Sequence, residues 1–224
     1  MTMPFAGGID ANANATLIFS LVAAVIYAFI SGMPPTLARS AAKTLAVAML
    51  AVLAALQGGP LLLVIALALS AAGDAFLSRD GERAFLGGLV SFLVAHIVYV
   101  ALFLRSGGGL ELLGAESWRG AIALAMAVFA IVMLAALWRR VGPGLRVPIV
   151  VYIAAILAMG VSALTTGSVS IVGGALLFMA SDGLLAAEKF LVAAISPHRV
   201  WMRLAVWGLY YAAQLAITLG FLLS

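Results

Sequence analysis

The chain has no cysteine in 224 residues and only two histidines, His96 and His198. These shortages exclude disulfide frameworks, thiolate metal sites and cysteine nucleophiles, and they leave few nitrogen ligands for a three-ligand zinc centre. Charge is scarce too: 9% of the residues are Asp, Glu, Lys or Arg, against 66% hydrophobic. With a mean hydropathy of +1.24, too little polar side chain is available to cover a water-facing surface. The fold class is therefore all-α, a polytopic integral membrane protein. The net charge of +4 then reads as loop arginines and lysines on one side of the bilayer, and no nucleic-acid partner is expected. No basic segment followed by a small-residue cleavage site is seen, so the first span is expected to be retained.

What is present is a series of long apolar runs. About 20 apolar residues cross a hydrocarbon core of about 30 Å, and eight such segments fall near 14–32, 36–56, 60–78, 84–105, 119–138, 146–165, 170–191 and 200–223. They are expected to form one transmembrane domain over residues 1–224. Turn-forming residues separate them, among them Pro34-Pro35, Gly58-Gly59-Pro60, Gly107-Gly108-Gly109, Gly142-Pro143-Gly144 and Ser196-Pro197. Arg39, Lys43, Arg79, Arg83, Arg139, Arg140, Arg146, Lys189, Arg199 and Arg203 fall on one side of this arrangement; only Arg105 and Arg119 fall on the other. The positive-inside rule then predicts both termini outside, and the membrane is expected to be the bacterial inner membrane, with the periplasm on that outer side. The chain also echoes itself at 108 residues, Asp74 to Asp182, which suggests a parallel 4+4 repeat with facing aspartates.

Those two aspartates stand out most. Each sits inside an apolar run, where an ionised carboxyl costs about 2.5–3.5 kcal/mol on insertion scales. Around them the spans carry Lys43, Ser70, His96, Tyr99, Tyr152, Ser181, Glu188, Lys189, Tyr210, Tyr211 and Gln214. Ser70 and Asp74 are one turn apart, so the hydroxyl is placed to bond the carboxyl. His96 shares a face with Tyr99, Asp182 with Lys189, and Tyr210 and Tyr211 each reach the side of Gln214. Asp74 falls about one turn from the inner end of its span, while Asp182 falls nearer the midplane and is expected to be the drier of the two. Together they outline a cleft toward the cytoplasmic leaflet. The four tryptophans, at 118, 138, 201 and 207, are expected in interfacial belts.

These residues bound the chemistry. A serine nucleophile needs a histidine base beside it, and Ser181 next to Asp182 points about 100° away around the helix. Two aspartates alone make poor zinc ligation. Acid–base catalysis by the carboxyl pair fits better, with one held neutral as an acid and the other, near Lys43, kept ionised. A small proton- or ion-coupled transporter, in which paired aspartates mark the coupling site, and a metal-dependent intramembrane lipid hydrolase stay open on the residues alone.

The pattern as a whole resembles the YhhN family of membrane-embedded lysoplasmalogenases. The resemblance rests on Ser70-x-x-Gly73-Asp74-x-x-Leu77, Phe85-x-Gly-Gly-Leu89-x-x-Phe92-x-x-Ala95-His96-x-x-Tyr99 and Tyr152. It continues through Gly174-Ala-Leu-Leu-Phe178-x-x-Ser181-Asp182-x-x-Leu185-Ala186-x-x-Lys189-Phe190 and Tyr210-Tyr211-x-x-Gln214. Two departures are Thr44 after Lys43, where the family often has proline, and Glu188, where an amide is common. The resemblance implies cleavage of the vinyl-ether bond of a lysoplasmalogen, giving a fatty aldehyde and a glycerophospho head group. It implies Asp74 and Asp182 as the catalytic carboxyls, with no metal and no cofactor. Lys43 or Lys189 would bind the phosphate, and His96, Tyr152, Tyr210, Tyr211 and Gln214 would orient the reactants. The partners it implies are a lysophospholipid substrate and the bilayer itself.

Overall fold

The computed structural model describes residues 3–8, 11–109 and 111–223. The described residues form helices joined by short turns, with no strand among them. In chain order they are α1 (Asn12–Ile30), α2 (Leu37–Leu56), α3 (Leu61–Leu77), α4 (Glu82–Ser106), a short α5 (Glu111–Ala115), α6 (Ser117–Trp138), α7 (Pro143–Ala163), α8 (Val169–Phe190) and α9 (His198–Leu222). All but α5 begin and end within three residues of the apolar segments read from the sequence. Seven of them are long and apolar enough to cross a membrane; α3, at 17 residues, is the shorter apolar one. The molecule is thus an all-helical, polytopic membrane protein.

The helix ends follow local chemistry. Thr36 caps α2 by accepting the backbone N–H of Arg39 at 3.2 Å, and Ser168 caps α8 through the N–H of Ile171. Pro143 opens α7, where a missing N–H costs nothing. Gly58 and Gly81 turn the chain after α2 and after α3 with φ of +65° and +108°, values that favour glycine.

Neighbouring helices pack as antiparallel pairs, most extensively α8 on α9 and α3 on α4, with α1, α2 and α3 in series. α4 against α7 and α9 against α1 and α2 close the bundle. α6 packs mainly on α7 and leaves much of its apolar surface exposed, including Leu124, Val128, Ile131 and Val132. Glycines set the closest approaches. A Cβ on Gly174 of α8 would lie 2.9 Å from the carbonyl oxygen of Ala213 in α9, and one on Gly73 of α3 would lie 2.6 Å from the ring of Phe92 in α4.

Two residues given peripheral roles by the sequence lie inside. Trp207 is 5% exposed, stands edge-on to Tyr27, stacks on Tyr211 and donates its indole N–H to the carbonyl of Ala24. It is a core residue, since its face of α9 turns toward α1. Arg119, counted as a loop charge, is 4% exposed and donates to the carbonyls of Leu164 and Thr166, which end α7. The buried guanidinium satisfies carbonyls that the helix leaves orphaned.

Candidate active site

The polar residues of the interior fall into two groups, one around each aspartate. Asp74 is 1% exposed near the end of α3. Lys43 of α2 sets its ammonium 3.2 Å from Oδ1, and Tyr210 of α9 donates its hydroxyl to Oδ2 at 2.7 Å. Asp182 lies on α8 and is 12% exposed. Tyr152 of α7 donates its hydroxyl to Oδ2 at 2.5 Å, and Nε2 of His96 in α4 lies 3.8 Å from the same oxygen. An ammonium thus neutralises one carboxyl, while the other meets a phenol and an imidazole. A buried charge without such a partner is strongly destabilising, so Lys43 and Asp74 stand or fall together.

Behind both groups lies an aromatic core. Phe92, Phe178 and Tyr210 pack edge-on to one another with centroids 5.4–6.3 Å apart, and His96 packs on Phe178 at 4.8 Å. These rings hold the two tyrosine hydroxyls and the imidazole in place. Deeper still, Tyr99 donates to Oε1 of Gln214 at 2.5 Å, linking α4 to α9. The amide nitrogen of Gln214 and both ring nitrogens of His96 are buried without a side-chain partner.

Both aspartates line one cavity of about 420 Å³, which opens at the arginine-rich end of the bundle. Arg39, Lys43, Arg79, Lys189, Arg199 and Arg203 contribute to its wall. Asp182 also lines a second, narrower space of about 90 Å³, almost wholly apolar, between α4, α6, α7 and α8. Leu77, Phe85, Phe92 and Leu185 are shared by the two. Lys189 stands at this junction with its ammonium 4.8 Å over the ring of Phe85. The result is one polar chamber and one apolar groove meeting at a carboxyl.

Several side chains expected at the site do other work. The Ser70 hydroxyl donates to the carbonyl of Ala66 at 2.9 Å, a bond within its own helix, and not to Asp74. A serine inside a helix finds the carbonyl one turn back more easily than a carboxyl pointing away from it. Ser181 lines the cavity, but its hydroxyl donates to the carbonyl of Val206. Tyr211 pairs with Ser20 of α1 at 2.7 Å and locks α9 to α1, away from both carboxyls. Tyr99 and Gln214 bond each other and serve as support one layer behind. Asp182 is the wetter aspartate, because it faces the groove while Asp74 is enclosed by α2, α3 and α9. Glu188 is 8% exposed and paired with Arg199 at 3.3 Å in the cavity wall. Tyr27, which also walls the cavity, had no spacing signal beyond its apolar neighbours, whereas Phe92, on the same wall, was part of the family pattern. Among the described residues no group of three or more His, Asp or Glu comes together as metal ligands would.

Fold and site together define a helical membrane protein whose interior holds two carboxyls on the wall of one cavity. The chain belongs to the YhhN family, whose model matches residues 38–221. It is 34% identical over 159 residues to a human protein named lysoplasmalogenase TMEM86B, a match covering 71% of this chain and 62% of that relative. It is 29% identical over 168 residues to the Bos taurus protein named lysoplasmalogenase TMEM86A, covering 70% of this chain and 63% of the relative. The matches therefore span less than two thirds of these relatives' length. No solved structure matches the chain.

Proposed function

We propose that this protein hydrolyses the vinyl-ether bond of a lysoplasmalogen, releasing a fatty aldehyde and a glycerophospho head group. The observation that carries this reading is the meeting of a charged cavity and an apolar groove at Asp182. A single-chain amphiphile laid across that junction puts its tail in the groove, its head in the cavity and its first glycerol oxygen beside the carboxyls. The names of the two relatives point to the same substrate class.

The chemistry suits the groups present. A vinyl ether hydrolyses by protonation of its β-carbon, which leaves an oxocarbenium ion on the carbon bearing oxygen. Asp182 is the proton donor: its carboxyl has no cation beside it and meets only Tyr152 and His96. Asp74, held ionised against Lys43, is the anion that stabilises the oxocarbenium and takes a proton from the attacking water. The hemiacetal so formed breaks its bond to the glycerol oxygen, which takes up the proton Asp74 gained, while the hemiacetal hydroxyl returns a proton to Asp182, giving aldehyde and alcohol with both carboxyls restored. The sum is substrate plus water, and neither metal nor cofactor enters. Tyr152, His96 and Tyr210 position the carboxyls, and Gln214 and Tyr99 brace them. Ser70, Ser181 and Tyr211 act through packing.

In the same reading the chain forms one transmembrane domain of eight spans, α3 included, with both termini outside a bacterial inner membrane. The cavity then opens to the cytoplasmic leaflet, where the ten cations lie. A parallel 4+4 repeat accounts for the way the carboxyls are served. Each aspartate meets one residue from the second helix of its own half, Lys43 or Tyr152, and one from the last helix of the other half, Tyr210 or His96. Incubating purified protein with a lysoplasmalogen and with its ester analogue tests the activity. Free aldehyde from the first alone is expected; no aldehyde, or fatty acid from the second, contradicts it.

A further inference from the structure

Three cations at the cavity mouth have no role in the chemistry above. Arg39, Arg79 and Arg203 line it from α2, from the turn after α3 and from α9. None of them joins an ion pair among the described residues, whereas Lys43 is held by Asp74 and Arg199 by Glu188. Arg39 is half-buried, and its Nε is shut off from solvent without a hydrogen-bond partner. Arg203 spends one nitrogen on the carbonyl of Ser31, at 3.3 Å, and keeps the rest of its fork free. Lys189, expected from the sequence to take a phosphate, lines the same cavity, with its ammonium 4.8 Å over the ring of Phe85 where the cavity meets the groove.

The positions along the helices are informative. Arg39 and Lys43 are one turn apart on a shared face of α2, about 6 Å along the axis. Arg203 and Tyr210 are two turns apart on α9, and Arg79 follows Asp74 by five residues. The three arginines thus form a collar one to two turns outward from the Lys43–Asp74 pair. That offset is the reach of a three-carbon glycerol backbone, from the oxygen at the carboxyls to the phosphorus at the mouth. Guanidinium forks match the geometry of phosphate oxygens, and two free forks facing one space are suited to a phosphodiester.

We infer that Arg39 and Arg203, with Arg79 at the rim, form the phosphate subsite of this cavity and make the protein select phosphate-bearing single-chain lipids over neutral ones. The identity of the lipid rests on the reading above; the anion subsite does not. The test uses the whole chain in nanodiscs and two ligands that cannot be cleaved: an alkyl-ether lysophospholipid and the matching alkylglycerol without phosphate. Wild-type protein binds the lysophospholipid about tenfold more tightly or better. Arg39→Gln and Arg203→Gln each reduce that ratio, and Arg105→Gln, at the far end of α4, preserves it; if Arg39→Gln does not fold, Arg203→Gln carries the comparison. Equal wild-type affinities, or a ratio unchanged in the collar variants, overturn the subsite. Inorganic phosphate that competes better than glycerophosphoethanolamine assigns the collar to free anions and overturns the head-group assignment. A preserved ratio with no aldehyde from the vinyl-ether counterpart refutes the hydrolase reading and leaves the subsite standing.

Discussion

At the scale of single residues, the division of labour rests on what each aspartate touches. Both carboxyls are removed from water, and the Lys43 ammonium at 3.2 Å is what separates Asp74 from Asp182. Lys43→Met leaves a buried carboxylate without its partner and costs about 3–5 kcal/mol. Lys43→Met combined with Asp74→Asn recovers much of that stability and none of the activity, which thermal unfolding in detergent and aldehyde assay measure together. Tyr152→Phe removes one hydrogen bond to an acid and keeps the ring. As Asp182 gives up its proton it becomes a carboxylate, and losing a bond of about 1.5–3 kcal/mol to that developing charge converts to a fall of about ten- to a hundredfold in kcat with little change in KM. A fall in KM-dominated binding instead would assign Tyr152 to the substrate's tail. The sequence made both aspartates visible because an acid in an apolar run has no cheap explanation. It did not show that Asp74 is the drier one, since burial depends on which helices surround a residue and not on its distance from a helix end.

At the scale of elements, apolar length and turn residues located every long helix, because in a bilayer the backbone must bond within its own segment. Which helices pack together was not legible. Alanine and leucine are spread around all faces, and the close contacts are made where glycine permits them. Gly174 of α8 faces the Ala213 carbonyl of α9, and backbone cannot step aside as a flexible side chain can. Gly174→Ala is therefore expected to lower stability by about 1–3 kcal/mol and to lower Tm in detergent. Gly144→Ala, at a position with open space, is expected to leave Tm unchanged. The spacing of Tyr210, Tyr211 and Gln214 correctly put all three on α9, yet their partners lie on α3, α1 and α4. Consecutive residues on one helix serve different neighbours, so face-sharing alone overstated the site. The serines fell short for a similar reason: a helix offers its own carbonyls first.

At the scale of the whole molecule, six cations line the cavity, and the apolar groove runs from the same junction toward α6. In the sequence those arginines served only to orient the spans; the cavity gives three of them a second use. Orientation is directly measurable because the chain has no cysteine. Ala194→Cys in the turn between α8 and α9 is expected to react with an impermeant maleimide only from the cytoplasmic side, and Ala115→Cys at the end of α5 only from outside. The reverse pattern contradicts the positive-inside assignment and with it the leaflet from which substrate enters.

In the proposed reaction two intramembrane carboxyls, unaided, cleave a vinyl ether. Turnover of lysoplasmalogen by purified wild-type, Asp182→Asn and Asp74→Asn proteins, matched for folding by Tm, tests it most directly. Loss of a general acid or of its partner base costs about 10²–10⁴ in rate, so each variant is expected to release aldehyde at least about a hundredfold more slowly. Wild-type turnover in either folded variant contradicts the account.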